Sequence, residues 1–220
     1  MVAIRDTYGR ETWIDRRRNG FPTEFPLNES KDLSEWEPYD FQHTYPDIRS
    51  ALLAICMHGE NLVGVELGVA YSHSTCAILQ VCKNVSKLYG IDAWEPYTDR
   101  IGGKMVKDRK SVDWMREQAL HFIHYSGESH RCEILEMNTL KAKEYFANGS
   151  LDFIFCDAHL SKQQLLDEME AYYPKMKKGA LFIGHDYNDL GVQEAVDEFR
   201  TKHNITNRLG VYDATFIWKV

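Results

Sequence analysis

The chain has 220 residues, enough for one large domain with a full core, and its length forces no split into two. Lys and Arg total 26 against 33 Asp and Glu, a formal net charge of -7, so no overall field favours a polyanion such as DNA or RNA. The longest apolar run, 51–57, is far below membrane-spanning length, no apolar leader opens the chain, and the five cysteines form no C-x-x-C pair, so the expectation is a cytoplasmic protein with reduced thiols and no membrane contact.

Residues 1–45 are read as an irregular N-terminal arm, because Trp13, Phe21, Phe25, Trp36, Tyr39, Phe41 and Tyr45 show no clear period and Arg16, Arg17 and Arg18 form a charged cluster. Such an arm packs on the domain, covers a pocket or makes a subunit contact in a homo-oligomer. Residues 46–220 form the domain proper. Ile48, Ala51, Leu52, Ile55 and Cys56 fall at helical spacing and Gly59 stops that helix. A strand at 62–67 then leads into a loop beginning at Gly68, a helix over 75–81 and a second strand ending at Asp92. This strand–loop–helix–strand unit can hold a nucleoside. A glycine after a strand admits a sharp turn and a close ligand, the helix N-terminus offers unpaired N–H groups, and a carboxylate closing the next strand can take both ribose hydroxyls. Only Gly68 stands where a pyrophosphate loop wants three glycines, which makes a dinucleotide the weaker fit.

The polar stretch after Trp94, with Gly102, Gly103 and the cations Lys104, Lys107, Arg109 and Lys110, reads as an insertion that moves. A helix over 112–125 follows, then strands at 132–135 and 151–156 with a short helix over 141–146 between them. The run 151–156 is apolar but for Asp152, as in a parallel strand buried on both faces. A helix over 161–173, a strand at 180–183 after Gly179, a helix over 192–203 and an antiparallel edge hairpin within 208–220 complete the alternation. The fold class is α/β, a doubly wound, mostly parallel sheet with an antiparallel C-terminal edge.

In such a sheet the ligand lies beyond the carboxyl ends of the strands. The chain places polar residues there repeatedly: Glu66 after the first strand, Asp92 after the second, Asn138 and Thr139 after the third, Asp157 and His159 after the fourth, His185 and Asp186 after the fifth. One terminal Asp is usually a helix cap. Two, Asp157 and Asp186, on adjacent strands would sit a few ångströms apart and call for a proton, a Lys or a hard divalent cation between them.

With these residues the sequence resembles the class I S-adenosylmethionine-dependent methyltransferases, within them a small-molecule O-methyltransferase-like group with a Gly-His-Asp-Tyr turn, over about 61–220. Val65-Glu66-Leu67-Gly68-Val69-Ala70-Tyr71-Ser72 resembles the motif that holds the methionine part of the cofactor, and Tyr89-Gly90-Ile91-Asp92-Ala93-Trp94 the motif whose acid takes the ribose. Leu151 to His159 resembles the fourth-strand motif, and Gly184-His185-Asp186-Tyr187 the fifth-strand turn. The resemblance implies a Rossmann-like methyltransferase fold and S-adenosyl-L-methionine as cofactor, bound by Glu66, Gly68, Ala70, Tyr71, Ser72, Asp92, Ala93, Trp94, Asn138, Thr139 and Asp157. Asp157, Asp186, His185 and His159 are the catalytic candidates, and Asp157 and Asp186 the candidate ligands for Mg2+ or another divalent cation. Two departures stand out. Asp186 is followed by Tyr187 where metal-dependent relatives carry a second oxygen ligand, and His159 stands one position before the histidine of many relatives. The acceptor expected is a small molecule. The alternatives are a cofactor-binding protein without methyl transfer and a methyltransferase acting on nucleic acid or protein.

Overall fold

The structure, a computed structural model, describes residues 2–5, 11–14, 48–98, 105–158, 161–212 and 214–220. In chain order its elements are β1 (Val2–Arg5), β2 (Glu11–Ile14), α1 (Arg49–Cys56), β3 (Leu62–Leu67), α2 (His73–Val81), β4 (Val85–Asp92), β5 (Tyr97–Thr98), β6 (Met105–Lys107), α3 (Arg109–Tyr125), β7 (Cys132–Glu136), α4 (Thr139–Ala142), β8 (Leu151–Cys156), α5 (Lys162–Tyr172), β9 (Met176–Gly184), α6 (Leu190–Lys202), β10 (Gly210–Tyr212) and β11 (Thr215–Lys219). Of the expected arm, the described part is an antiparallel pair of β1 with β2; the arginine cluster and the aromatics from Phe21 to Tyr45 lie outside the described residues. In the expected insertion β5 pairs antiparallel with β6, and residues 99–104 lie outside the described residues.

The two runs with the most continuous apolar character become the middle of a seven-stranded sheet of order β10-β11-β9-β8-β3-β4-β7. β3 pairs in parallel with β4 and β8, β4 with β7, and β8 with β9, while β11 runs antiparallel to both β9 and β10. Val65, Leu67, Phe153, Ile154 and Phe155 are fully buried because helices cover both faces. On one face Tyr172, Phe182, Val196, Phe199 and Trp218 pack with the inward sides of α5 and α6; on the other Ile55, Ile78, Leu79, Phe122 and Phe155 pack with α1, α2 and α3. Each such side chain contributes roughly 1.5–3 kcal/mol by leaving water, so the sheet is a rigid plate on which strand ends hold their places.

Two boundaries differ from the sequence expectation for physical reasons. β9 begins at Met176, four residues before the expected strand, because Gly179 takes φ +83 and accommodates an irregularity inside the strand instead of ending it. Its N–H donates to the carbonyl of Val220 at 2.7 Å. α2 begins at His73 rather than at residue 75, after Ser72 turns into the left-handed region at φ 63. Its far end is held by Arg131, whose guanidinium donates to the carbonyls of Leu79 and Val85 and pairs with Glu128 at 2.8 Å. No helix among the described residues is long and apolar enough to cross a membrane.

Candidate active site

The strand order reverses between β3 and β8: the chain leaves β3 for β4 on one side and later returns to β8 on the other. The carboxyl ends of those two strands therefore open a crevice, the usual ligand position in an open α/β sheet. Gly68 sits at its floor. With φ +91 it bends the chain out of β3, and a Cβ there would stand 2.6 Å from the Asp157 carbonyl oxygen and 2.7 Å from the Ala158 Cα. The Asp157 N–H in turn donates to the Leu67 carbonyl at 2.8 Å.

Loop 68–72 is held from several sides. Asp92 accepts from the Ala70 N–H at 2.9 Å through one oxygen and from the Trp94 N–H at 2.8 Å through the other, while burial pushes its carboxyl above the ordinary range. The Trp94 indole donates to the Ala70 carbonyl at 3.0 Å, and its ring packs with Val69, Val112, Met115 and Ala119. Six non-glycine residues have positive φ among the described residues, and four of them, Ala70, Ser72, Trp94 and Asp186, lie in the loops at the strand ends. Such conformations cost about 1–3 kcal/mol each and persist where surrounding contacts fix them, which here is the rim of the crevice.

Glu66 is turned inward. It has no exposed surface, accepts from the hydroxyls of Ser74 and Thr75 in the first turn of α2, and is pushed up to about 8 by burial, with Asp157 and Asp92 acting in the same direction and the two hydroxyls against it. Its role in the geometry is to lock α2 onto β3. Ser72 likewise faces the interior, donating to the Ala119 carbonyl at 3.1 Å. The helix behind it thus lacks a side-chain cap, whereas α3, α4, α5 and α6 are capped by Asp108, Asn138, Ser161 and Asp189. Thr139 is buried with its hydroxyl on Glu168 at 2.8 Å. So the side chains of Glu66, Ser72, Trp94 and Thr139, all expected to touch a ligand, hydrogen-bond within the protein, while Asn138, exposed, accepts from the Leu140 N–H through its Oδ1. Tyr71 stacks on His73 at 5.8 Å and meets the edge of Trp114 at 5.7 Å, while Ala93 is half-buried beside Asp92. Burial pushes the His73 imidazole down to about 4, so that ring is neutral at pH 7.

Across the crevice the carboxyl ends of β8 and β9 bring Asp157, His185 and Asp186 together, each offering one atom within 4.8 Å of the others. His185 Nδ1 lies 3.2 Å from Asp186 and 3.7 Å from Asp157, and the three side chains are 17%, 43% and 29% exposed respectively. The expected Asp157–Asp186 pair is there, and His185 joins it as a third donor. Tyr187 is turned away, its ring 5.8 Å from Phe216 and its N–H on the Ala214 carbonyl at 2.8 Å, so the position after Asp186 serves packing. His159 lies outside the described residues. An apolar groove of about 410 Å³ between α1 and the C-terminal hairpin, lined by Leu53, Ala54, Leu181 and Ile217 among others, contains none of the strand-end acids and plays no part here.

A family described as a methyltransferase domain matches residues 65–187, from the middle of β3 to the turn after β9. The chain belongs to the methyltransferase-domain family. That span contains both sides of the crevice, from Glu66 to Asp186. Solved structures share the fold at low identity. The O-methyltransferase NovP matches with a TM-score of 0.53 and 19% identity over 78% of this chain and 77% of its own. The O-methyltransferase from Bacillus cereus, solved with SAH, gives 0.53 and 19% over 77% and 78%. TomG from Streptomyces achromogenes, an O-methyltransferase involved in tomaymycin synthesis and solved with SAM, gives 0.56 and 16% over 80% and 79%. A search of curated protein sequences finds no match. The sheet is thus the Rossmann-like methyltransferase fold, and the chain is that of an enzyme.

Proposed function

We propose that this methyltransferase takes its methyl group from S-adenosylmethionine and delivers it to an oxygen of a small molecule. The observation that carries this reading is the two-sided crevice: a backbone-lined loop with Asp92 on one side, and the Asp157, His185 and Asp186 cluster on the other. The cofactor fits the first side chemically. Its carboxylate suits the N–H groups at the uncapped start of α2, and its ribose suits Asp92, the carboxylate that closes β4 and is held in place by backbone N–H groups of the two loops. No phosphate cradle is needed, which agrees with a single glycine at position 68. When bound, the cofactor supplies an electrophilic methyl on a sulfonium.

What the chain must then do is hold the acceptor in line and help its hydroxyl lose a proton; positioning supplies most of the rate. His185, through the Nδ1 that faces the two carboxylates, would take that proton or share it with Asp157 and Asp186, its Nε2 being buried. The same three residues would hold a divalent cation, which would lower the pKa of an acceptor hydroxyl; an imidazole beside two carboxylates suits Mn2+, Fe2+ or Zn2+ better than Mg2+. The charge of -7 disfavours a nucleic-acid acceptor. Calorimetry with S-adenosylhomocysteine tests the first half, with binding at about micromolar Kd expected on the affinity scale of small cofactors; no binding by the wild type would sink the assignment. Methyl transfer to a panel of phenols and sugars, with and without a chelator, tests the second. Activity lost on chelation and restored by Mn2+ supports the cation, and activity indifferent to chelator leaves His185 as base.

A further inference from the structure

One buried acid is used by neither side of the crevice. Glu168 on α5 has no exposed surface. Its Oε1 accepts from the Thr139 hydroxyl at 2.8 Å and from the Gln164 amide at 3.1 Å, and that amide also donates to the Ala158 carbonyl at 3.2 Å. One turn further along, the Tyr172 hydroxyl donates to the Thr139 carbonyl at 2.7 Å. Gln164, Glu168 and Tyr172 are spaced by four, so they form one stripe along the inward face of α5. This stripe joins two loops that the sheet itself does not join: the loop after β7, at Asn138 and Thr139, and the loop after β8, at Asp157 and Ala158.

We propose that Glu168 is a positioning residue whose neutral carboxyl ties the loop after β7 to the loop after β8 and so sets the width of the nucleoside site between them. This rests on the cofactor reading given above. Neutrality follows first from geometry: Oε2 is buried and has no hydrogen-bond partner among the described residues, so a negative charge there would be uncompensated, and leaving such a group bare costs more than any one bond returns. The surrounding charges point the same way. Burial pushes Glu168 up to about 7, Asp167 on the same helix adds to it, and the Thr139 and Gln164 bonds oppose it. The neighbouring Cys156 on β8 and Tyr172 on α5 are both held neutral chiefly by burial, so neither supplies a charge to Glu168. Lys141 on α4 is exposed, and Lys162 on α5 pairs with Glu194 and Glu198 of α6. Above pH 7 the carboxyl ionises; the bonds to Oε1 favour that form, but the bare charge at the buried Oε2 calls for water, and admitting water there parts the two loops.

The sign follows. The carboxyl is half ionised at about pH 7 and essentially neutral a unit below it, so cofactor-site affinity is full at the acid end and falls as pH rises through 7. The test is titration of the full chain with S-adenosylhomocysteine between pH 6.5 and 8.5 for the wild type, Glu168→Gln and Glu168→Ala. The wild type is expected to lose about tenfold in affinity across that range, one ionisation carrying up to tenfold per pH unit. Glu168→Gln, neutral at every pH and of the same shape, should fall several-fold less steeply, and Glu168→Ala should bind weakly at both ends, so that Gln rescues what Ala loses. A Gln variant that follows the wild-type curve, or an Ala variant that binds as the wild type does, overturns the role of Glu168 and leaves the cofactor assignment standing. A wild type that binds no S-adenosylhomocysteine at any pH overturns both.

Discussion

The two sides of the crevice are built from the same residue types and treat them in opposite ways. On the β3–β4 side the acids are satisfied by the protein: Glu66 by Ser74 and Thr75, Asp92 by the N–H groups of Ala70 and Trp94. On the β8–β9 side Asp157 and Asp186 converge on His185 and remain partly open to solvent. A carboxylate bonded by backbone donors shapes a loop and receives neutral hydroxyls. Carboxylates gathered round an imidazole are poised for proton or cation chemistry. The division matches a reaction in which one partner must be held and the other activated.

Separating the two sides by mutation sharpens the comparison. The largest effect is expected from Asp186→Ala, which should lower methyl transfer by about a hundredfold or more, the scale of a lost acid–base group, while S-adenosylhomocysteine affinity stays within about threefold. A parallel loss of affinity, read by calorimetry on the same preparation, would erase the distinction between the sides. Asp92→Ala should act in reverse, weakening S-adenosylhomocysteine by about 1–3 kcal/mol, the usual cost of removing a charged hydrogen-bond acceptor, with part of the loss arising from the released loop. The smallest effect is expected from Glu66→Gln. Because the folded carboxyl is raised from 4.5 to about 8, the wild type loses stability as pH climbs through that window and keeps it below. The Gln variant should show a flatter thermal midpoint between pH 5 and 8.5, by a few degrees at the upper end on the scale of about 1 kcal/mol. An identical slope in both proteins would mean that Glu66 does not carry the buried proton.

Much of this could be read from the chain because the informative signals are local. The strands at 62–67 and 151–156 are found with the same ends in the structure, since a mostly apolar run, broken only by Glu66 in one and Asp152 in the other, marks a doubly covered strand. Asp157 and Asp186 were recognisable as neighbours because each closes such a run. What was not legible depends on partners distant in sequence. Nothing near Glu66 says that Ser74 and Thr75 fold back over it, and Thr139 meets Glu168 across 29 residues. The sequence pattern starts α2 at residue 75, two residues late, because the chain enters the helix through a left-handed Ser72 whose hydroxyl goes to the distant Ala119 carbonyl, and neither feature shows in the local pattern. The inclusion of His185 had a weak signal, a histidine directly before a strand-end acid, and needed the left-handed turn at Asp186, φ 58, to bring the two side chains together.

The contact at Gly68 has a further consequence for how acceptor preference can change. A Cβ there would stand 2.6 Å from the Asp157 carbonyl oxygen, so no side chain fits between them, and the Asp157 N–H donates back to the Leu67 carbonyl. The loop that would grip the donor and the strand end that would address the acceptor are therefore one mechanical body. Neither can shift to suit a larger or smaller substrate without the other. Adaptation to new acceptors has to come from segments outside this joint, such as the β5–β6 insertion or the turn from β9 to α6, while the path travelled by the methyl group keeps its length.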